Sequence, residues 1–244
     1  MNKRYWWVIV TYILMQLSSI VGLPLLLKTG WYNKYSPDVR LEVVVGHWSI
    51  ISFFAALLII LLLLRDDIRN RHLERDRASI PSTILWCIVG IIMAWFAQGV
   101  ATSIEMTLFR IKADSENTKR LIEIATMTPW FILVTSILAP ILEEIVFRKI
   151  LFGALYKRFN FFIAAIVSSL VFAAAHFDFS HLLVYISMGL VFSFLYVKTK
   201  RIIVPIMAHV MMNTIVVLLN FVFREELERM MHEADKLQSF IGGF

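Results

Sequence analysis

The 244-residue sequence predicts an all-α, polytopic membrane bundle of about seven spans. Composition is the first reason. Hydrophobic residues make up 59% of the chain and charged residues 17%, against about 45–50% and about 25% in soluble proteins. The second reason is organisation: the apolar residues fall in runs of about 20, the length of a bilayer-spanning helix. Soluble globular, disordered and collagen-like classes are excluded together. A third observation is the single cysteine, Cys87, inside an apolar run; it excludes an internal disulfide and a cysteine-rich metal site.

The expected spans run Tyr5–Leu27, Trp48–Leu64, Ser82–Ile104, Pro129–Ile150, Phe159–Ala175, Leu182–Val197 and Ile202–Phe223. The first is too long for a signal-peptide core and lacks a small-residue cleavage site, so it is expected as a retained helix. Residues 1–128 form an N-terminal set of helices and loops, and residues 129–223 form the core that carries chemistry. In residues 224–244, Leu227, Met230, Met231 and Ala234 recur at helical spacing, which predicts an amphipathic interfacial tail. The connections Lys28–Gly46, Arg65–Arg77 and Glu105–Thr128 are polar, whereas the later ones (YKRFN, FDFSH and KTKR) are short.

The net charge of +6 belongs with the bilayer rather than with nucleic acid, because basic residues collect in cytoplasmic loops. With the N-terminus inside, the inner segments carry 13 Lys and Arg and the outer segments carry 10. The last three short loops are sharper, with three, none and three. A cell-membrane protein with a cytoplasmic N-terminus follows.

Ionisable groups inside the late spans are the chemical signal. Glu143, Glu144 and Arg148 lie in the fourth span, and intramembrane carboxylates are a functional hypothesis by default. Glu144 and Arg148 are four apart and share a helix face, so they can pair as a structural unit. Glu143 lies about 100° around the helix, outside that pair. Phe172 and His176 are four apart in the fifth span; His209 and Asn213 are four apart in the seventh. Asp178 and His181 are read as loop residues.

Depth is consistent with one site. Glu143 lies 15 residues from Arg158, and His176 lies 16 from Asn160, about 22 and 24 Å of helix from one basic turn. His209 is 8 residues from Arg201, about 12 Å. A fourth–fifth hairpin projecting about 10 Å past the bilayer puts all of them in one layer. Pro140 leaves the Ser136 carbonyl without its helical partner and kinks the helix before the carboxylates.

EEIVFR (Glu143 to Arg148), FAAAH (Phe172 to His176) and HVMMN (His209 to Asn213) follow one another in the patterns EExxxR, FxxxH and HxxxN. In this order the chain resembles the CPBP family, the CAAX proteases and bacteriocin-processing (Abi) enzymes, from about Pro129 to Val217. The resemblance implies an intramembrane endopeptidase acting on a peptide or membrane-associated protein. Glu143 is then the general base, with His176 sharing its water. His209 and Asn213 face the oxyanion, while Glu144, Arg148 and Phe172 support them. Cofactor-free hydrolysis is favoured. Zinc on Glu143, His176 and His209 is the alternative, although HExxH spacing is absent. A transporter with a polar midplane site and a non-catalytic membrane scaffold are the competing classes. The absence of inverted repeats disfavours the transporter.

Overall fold

A computed structural model describes residues 2–70, 76–112 and 115–223, together with 229 and 233. The expected amphipathic tail, 224–244, lies outside this description apart from those two positions. The described residues form an all-helical bundle. By length and composition four helices can cross a membrane, and a bent fifth joins them if its two halves count as one span.

That bent pair is α1 (Lys3–Leu17) and α2 (Ser19–Lys28), which meet at 44°. The break falls at Ser18, whose N–H and Oγ both donate to the Met15 carbonyl. The Trp48 indole N–H donates to Ser18 Oγ at 3.0 Å. Its ring fills the space beside Gly22, where any Cβ would overlap it. Helix α3 (Pro37–Leu63) starts eleven residues before the expected span, at a Ser36–Pro37 signal that places proline in the first turn. A short α4 (Arg65–Asn70) follows.

Helix α5 (Ile80–Leu108) is opened by Ser79, whose side chain accepts from the Ser82 N–H. It runs past Ile104 and carries Glu105 into the interior. The following segment, expected as a connection, contains α6 (Glu116–Met127), capped by Ser115 and buried through Ile124 and Ala125. The fourth apolar segment is a broken helix, α7, spanning 131–156: short α stretches alternate with π segments at Val134–Leu138 and Glu144–Phe152. Helix α8 (Phe161–Ala174) is capped by Asn160. Its 14 residues span about 21 Å, short of the ~30 Å hydrocarbon thickness. Helices α9 (Leu182–Thr199) and α10 (Ile203–Val222) complete the core.

Two of the four apolar clusters among the described residues flank the site. One joins α1, α3, α7 and α8 through Val8, Tyr12, Ile60, Leu142, Phe147 and Phe172. The other joins α5, α9 and α10 through Ala94, Met188, Phe192, Leu195 and Ala208. Small residues bring the helices close. Gly90 faces Leu195 and Ala208, and Gly189 faces Ser169, as expected where helices associate in lipid by packing.

The basic segments read as inner gather at one end. Arg4 pairs with Asp66 at 2.6 Å, Tyr5 and Lys149 meet Asp67, Lys200 meets Asp76, and Arg201 donates to the Ala78 carbonyl. At Asp67, which lies outside the spans, burial pushes the carboxyl up. Hydrogen bonds from Tyr5 and Lys149 outweigh that effect and hold it below the usual carboxylate range.

Candidate active site

The polar cluster lies where the two apolar clusters meet. Glu143 ends an α stretch of α7, and Glu144 begins the π segment. Such register changes often mark functional positions. In the preceding π segment Ala139 donates to the Val134 carbonyl, five residues back. The Thr135 carbonyl therefore faces the nitrogen of Pro140, which has no hydrogen. Asn213 of α10 fills that gap: its Nδ2 donates to the Thr135 carbonyl at 3.0 Å. The carbonyl that loses its partner is thus Thr135, one residue before the expected Ser136, because the π register shifts the ladder by one.

Glu144 and Arg148 are both fully buried and lie 3.2 Å apart, so the expected pair exists. The Arg148 guanidinium also lies over the Phe172 ring at 4.3 Å and near Phe192 at 5.5 Å. Such faces stabilise a desolvated cation. His209 Nδ1–H donates to Glu144 Oε1 at 3.0 Å. This bond aims Nε2 towards Glu143, whose Oε2 is 3.8 Å away. The two carboxylates differ in access: the Glu143 side chain is 12% exposed and that of Glu144 is 0%. Only Glu143 can meet water.

His176 sits in the turn after α8. Its Nδ1–H donates to the Phe172 carbonyl at 2.8 Å, which leaves Nε2 as the acceptor of the neutral ring. Its imidazole packs against Phe172 at 4.5 Å and Tyr185 at 4.2 Å. Phe172 also meets the His209 ring at 6.2 Å, so it links both histidines to Arg148.

The structure therefore brings Glu143, Glu144, Arg148 and His209 into one contact set and attaches His176 through Phe172. Asn213 lies one turn beyond His209 and reaches α7 eight residues before Glu143. Among the described residues, no three His, Cys, Asp or Glu side chains group as a metal site. Glu144 holds His209 Nδ1–H and leaves Nε2 as the nitrogen facing Glu143, an arrangement that suits a metal ligand as well as a hydrogen-bond donor.

Asp178 and His181 stand outside the cluster, but neither is a bare loop residue. Asp178 accepts from Ser115 Oγ at 2.6 Å. His181 is buried against Glu105 at 3.0 Å, and the other Glu105 oxygen accepts the Leu183 and Val184 N–H groups, capping α9 from α5. Sequence reasoning also missed Tyr185 and Phe192, which packs on His209 at 4.9 Å. Their seven-residue spacing, two turns of one helix face, is the signal available for them. A groove of about 1970 Å³ between α1 and the α7–α8 hairpin is lined by Tyr12, Phe147 and Ala175 but by none of the four candidate catalytic residues.

Fold and site define a membrane-embedded helical protein with a buried acid–histidine cluster. The comparisons with known proteins give it a family. Residues 125–215 match the family described as "Type II CAAX prenyl endopeptidase Rce1-like". The chain is 46% identical, over all of its length and 99% of the relative, to "Putative membrane peptidase YdiL" of Bacillus subtilis (strain 168). It is 35% identical, over 95% of this chain and 96% of the relative, to "Membrane-embedded CAAX protease MroQ" of Staphylococcus aureus (strain USA300). No solved structure matches the chain significantly. The chain belongs to the CPBP family of membrane CAAX-type peptidases.

Proposed function

We propose that the chain is an intramembrane endopeptidase in which Glu143 activates water for attack on a peptide carbonyl. The observation that carries this is the division of labour between the two carboxylates. Glu144 is fully buried and committed to Arg148 and His209, whereas Glu143 keeps access to water and faces His209 Nε2.

Glu143 takes a proton from water while the oxygen attacks the scissile carbonyl carbon. His209, with Nδ1–H fixed on Glu144, presents Nε2–H to the developing oxyanion. A doubly protonated His209 also balances the set, with two carboxylates against Arg148 and the imidazolium. Asn213 has two amide hydrogens; one holds Thr135, and the second is available to the same oxyanion. The proton held by Glu143 then passes to the leaving amine, with His176 Nε2 sharing the water. The C–N bond breaks with one water consumed, giving a carboxylic acid and an amine, which exchange a proton to end as carboxylate and ammonium. The substrate is a peptide or membrane-associated protein. The basic end of the bundle faces the cytosol, so the N-terminus is cytoplasmic.

The test is purified protein in vesicles, incubated with a peptide mixture and analysed by mass spectrometry. Wild type should produce cleavage products and Glu143→Ala none. Cleavage by Glu143→Ala at the wild-type rate removes the general-base role. Orientation is tested in a Cys87→Ser background: Lys198→Cys should label from the cytosol and Ser180→Cys should not. The opposite pattern inverts the topology.

A further inference from the structure

We infer that Tyr185 is a positioning residue that holds the His176 imidazole in its working orientation. This rests on the role proposed above for His176. The Nδ1–H bond to Phe172 fixes one atom of the ring but leaves it able to swing about that bond. Two aromatic neighbours remove that freedom. Tyr185 lies 4.2 Å away with its plane tilted by 30°, and Phe172 meets the imidazole edge-on at 4.5 Å and 69°. The Tyr185 and Phe172 centroids are themselves 6.3 Å apart, so the imidazole sits in a corner between them.

Tyr185 is in turn fixed from elements that carry no motif residue. It lies in the first turn of α9, whose N-terminal N–H groups at Leu183 and Val184 are held by the buried Glu105 carboxylate. Asn117 of α6 donates to its hydroxyl at 3.5 Å. Ser115, the α6 cap, holds Asp178 two residues past His176. Between them Phe177 takes a left-handed φ of 54°, a conformation that a non-glycine residue keeps only when its surroundings hold it there. The His176 turn is therefore clamped on both sides, with the flat Tyr185 ring as the surface against which the imidazole rests.

A displacement of about 1 Å in a reacting group can cost about 10²-fold in rate. Tyr185→Leu should therefore lower kcat by about 10–100-fold with KM unchanged, because the ring orients a catalytic group rather than binding substrate. Tyr185→Phe keeps the ring and should retain kcat within about twofold. Tyr185→Met serves in place of the leucine variant if that one fails to insert. The readouts are kcat and KM on a cleaved peptide in vesicles, and NMR of labelled histidine, with the His176 signals assigned by their loss in His176→Ala. The His176 Nδ1–H signal, held by the Phe172 carbonyl, should be lost to solvent exchange in Tyr185→Leu and persist in Tyr185→Phe. An unchanged kcat in the leucine variant, or an equal loss in the phenylalanine variant, overturns the inference. If wild type cleaves no peptide, the catalytic proposal fails by itself. The NMR arm still decides this one: a His176 Nδ1–H signal that exchanges as slowly in Tyr185→Leu as in wild type would overturn it.

Discussion

Removing one member of the buried Glu144–Arg148 pair leaves the other uncompensated in low dielectric. Both side chains are fully buried and 3.2 Å apart, so either single loss should cost about 3–5 kcal/mol. The two losses are not equivalent. Arg148→Gln also gives up its contacts over Phe172 and Phe192, about 2 kcal/mol for a desolvated cation. Glu144→Gln keeps an oxygen for the His209 Nδ1–H. Arg148→Gln should therefore be the worse single variant, by about the ring contribution. In the double variant no charge is stranded, so its loss should fall below the sum of the singles by about 3 kcal/mol. The assay is unfolding of the four proteins in mixed micelles, followed by tryptophan fluorescence. Additivity within about 0.5 kcal/mol would show that the two groups do not interact and would refute this account of the cluster's stability.

Asn213→Ala should lower kcat by about 10²–10³, the size seen when one oxyanion donor is removed; peptide cleavage in vesicles measures it, and a loss below threefold denies Asn213 that role. Gly189→Ala drives a Cβ into the Ser169 side chain and backbone, so it should destabilise by about 1–3 kcal/mol, read in the same unfolding assay. At Asp67 the folded carboxyl lies below its ordinary range because of Tyr5 and Lys149. Its contribution is then complete above the unfolded value of about 3.9 and disappears as pH falls through the lower folded value. Asp67→Asn should remove that acid-side loss from a stability–pH profile; an unchanged profile would show that the Tyr5–Asp67–Lys149 contact is idle.

Much of the candidate site is legible because its signals are local. An ionisable side chain in an apolar run stands out wherever it falls, and i,i+4 spacing correctly paired Glu144 with Arg148. The three motifs identified the helices that meet. What escaped depends on register or on distant partners. No composition rule announces the π segments of α7, so regular helix spacing points to the Ser136 carbonyl, whereas Asn213 meets that of Thr135. Helix α6 is polar on average, and its buried stripe at Ile124 and Ala125 was lost within a segment that reads as a connection. Glu105 looked like the first residue of that connection. Only the three-dimensional arrangement shows it capping α9, whose sequence gives no sign that the cap comes from 78 residues away. Tyr185 and Phe192 looked like ordinary apolar-helix aromatics, since nothing in their own segment marks which residues face a histidine.

The central claim is that the carboxylate of Glu143, rather than a metal, activates the water. It is tested most directly by measuring metal content and peptide cleavage on the same vesicles, before and after chelation, for wild type and Glu143→Gln. The account predicts that wild type keeps its rate through chelation and that Glu143→Gln loses it throughout. One zinc per chain, lost together with activity and restored together with it, would contradict the claim.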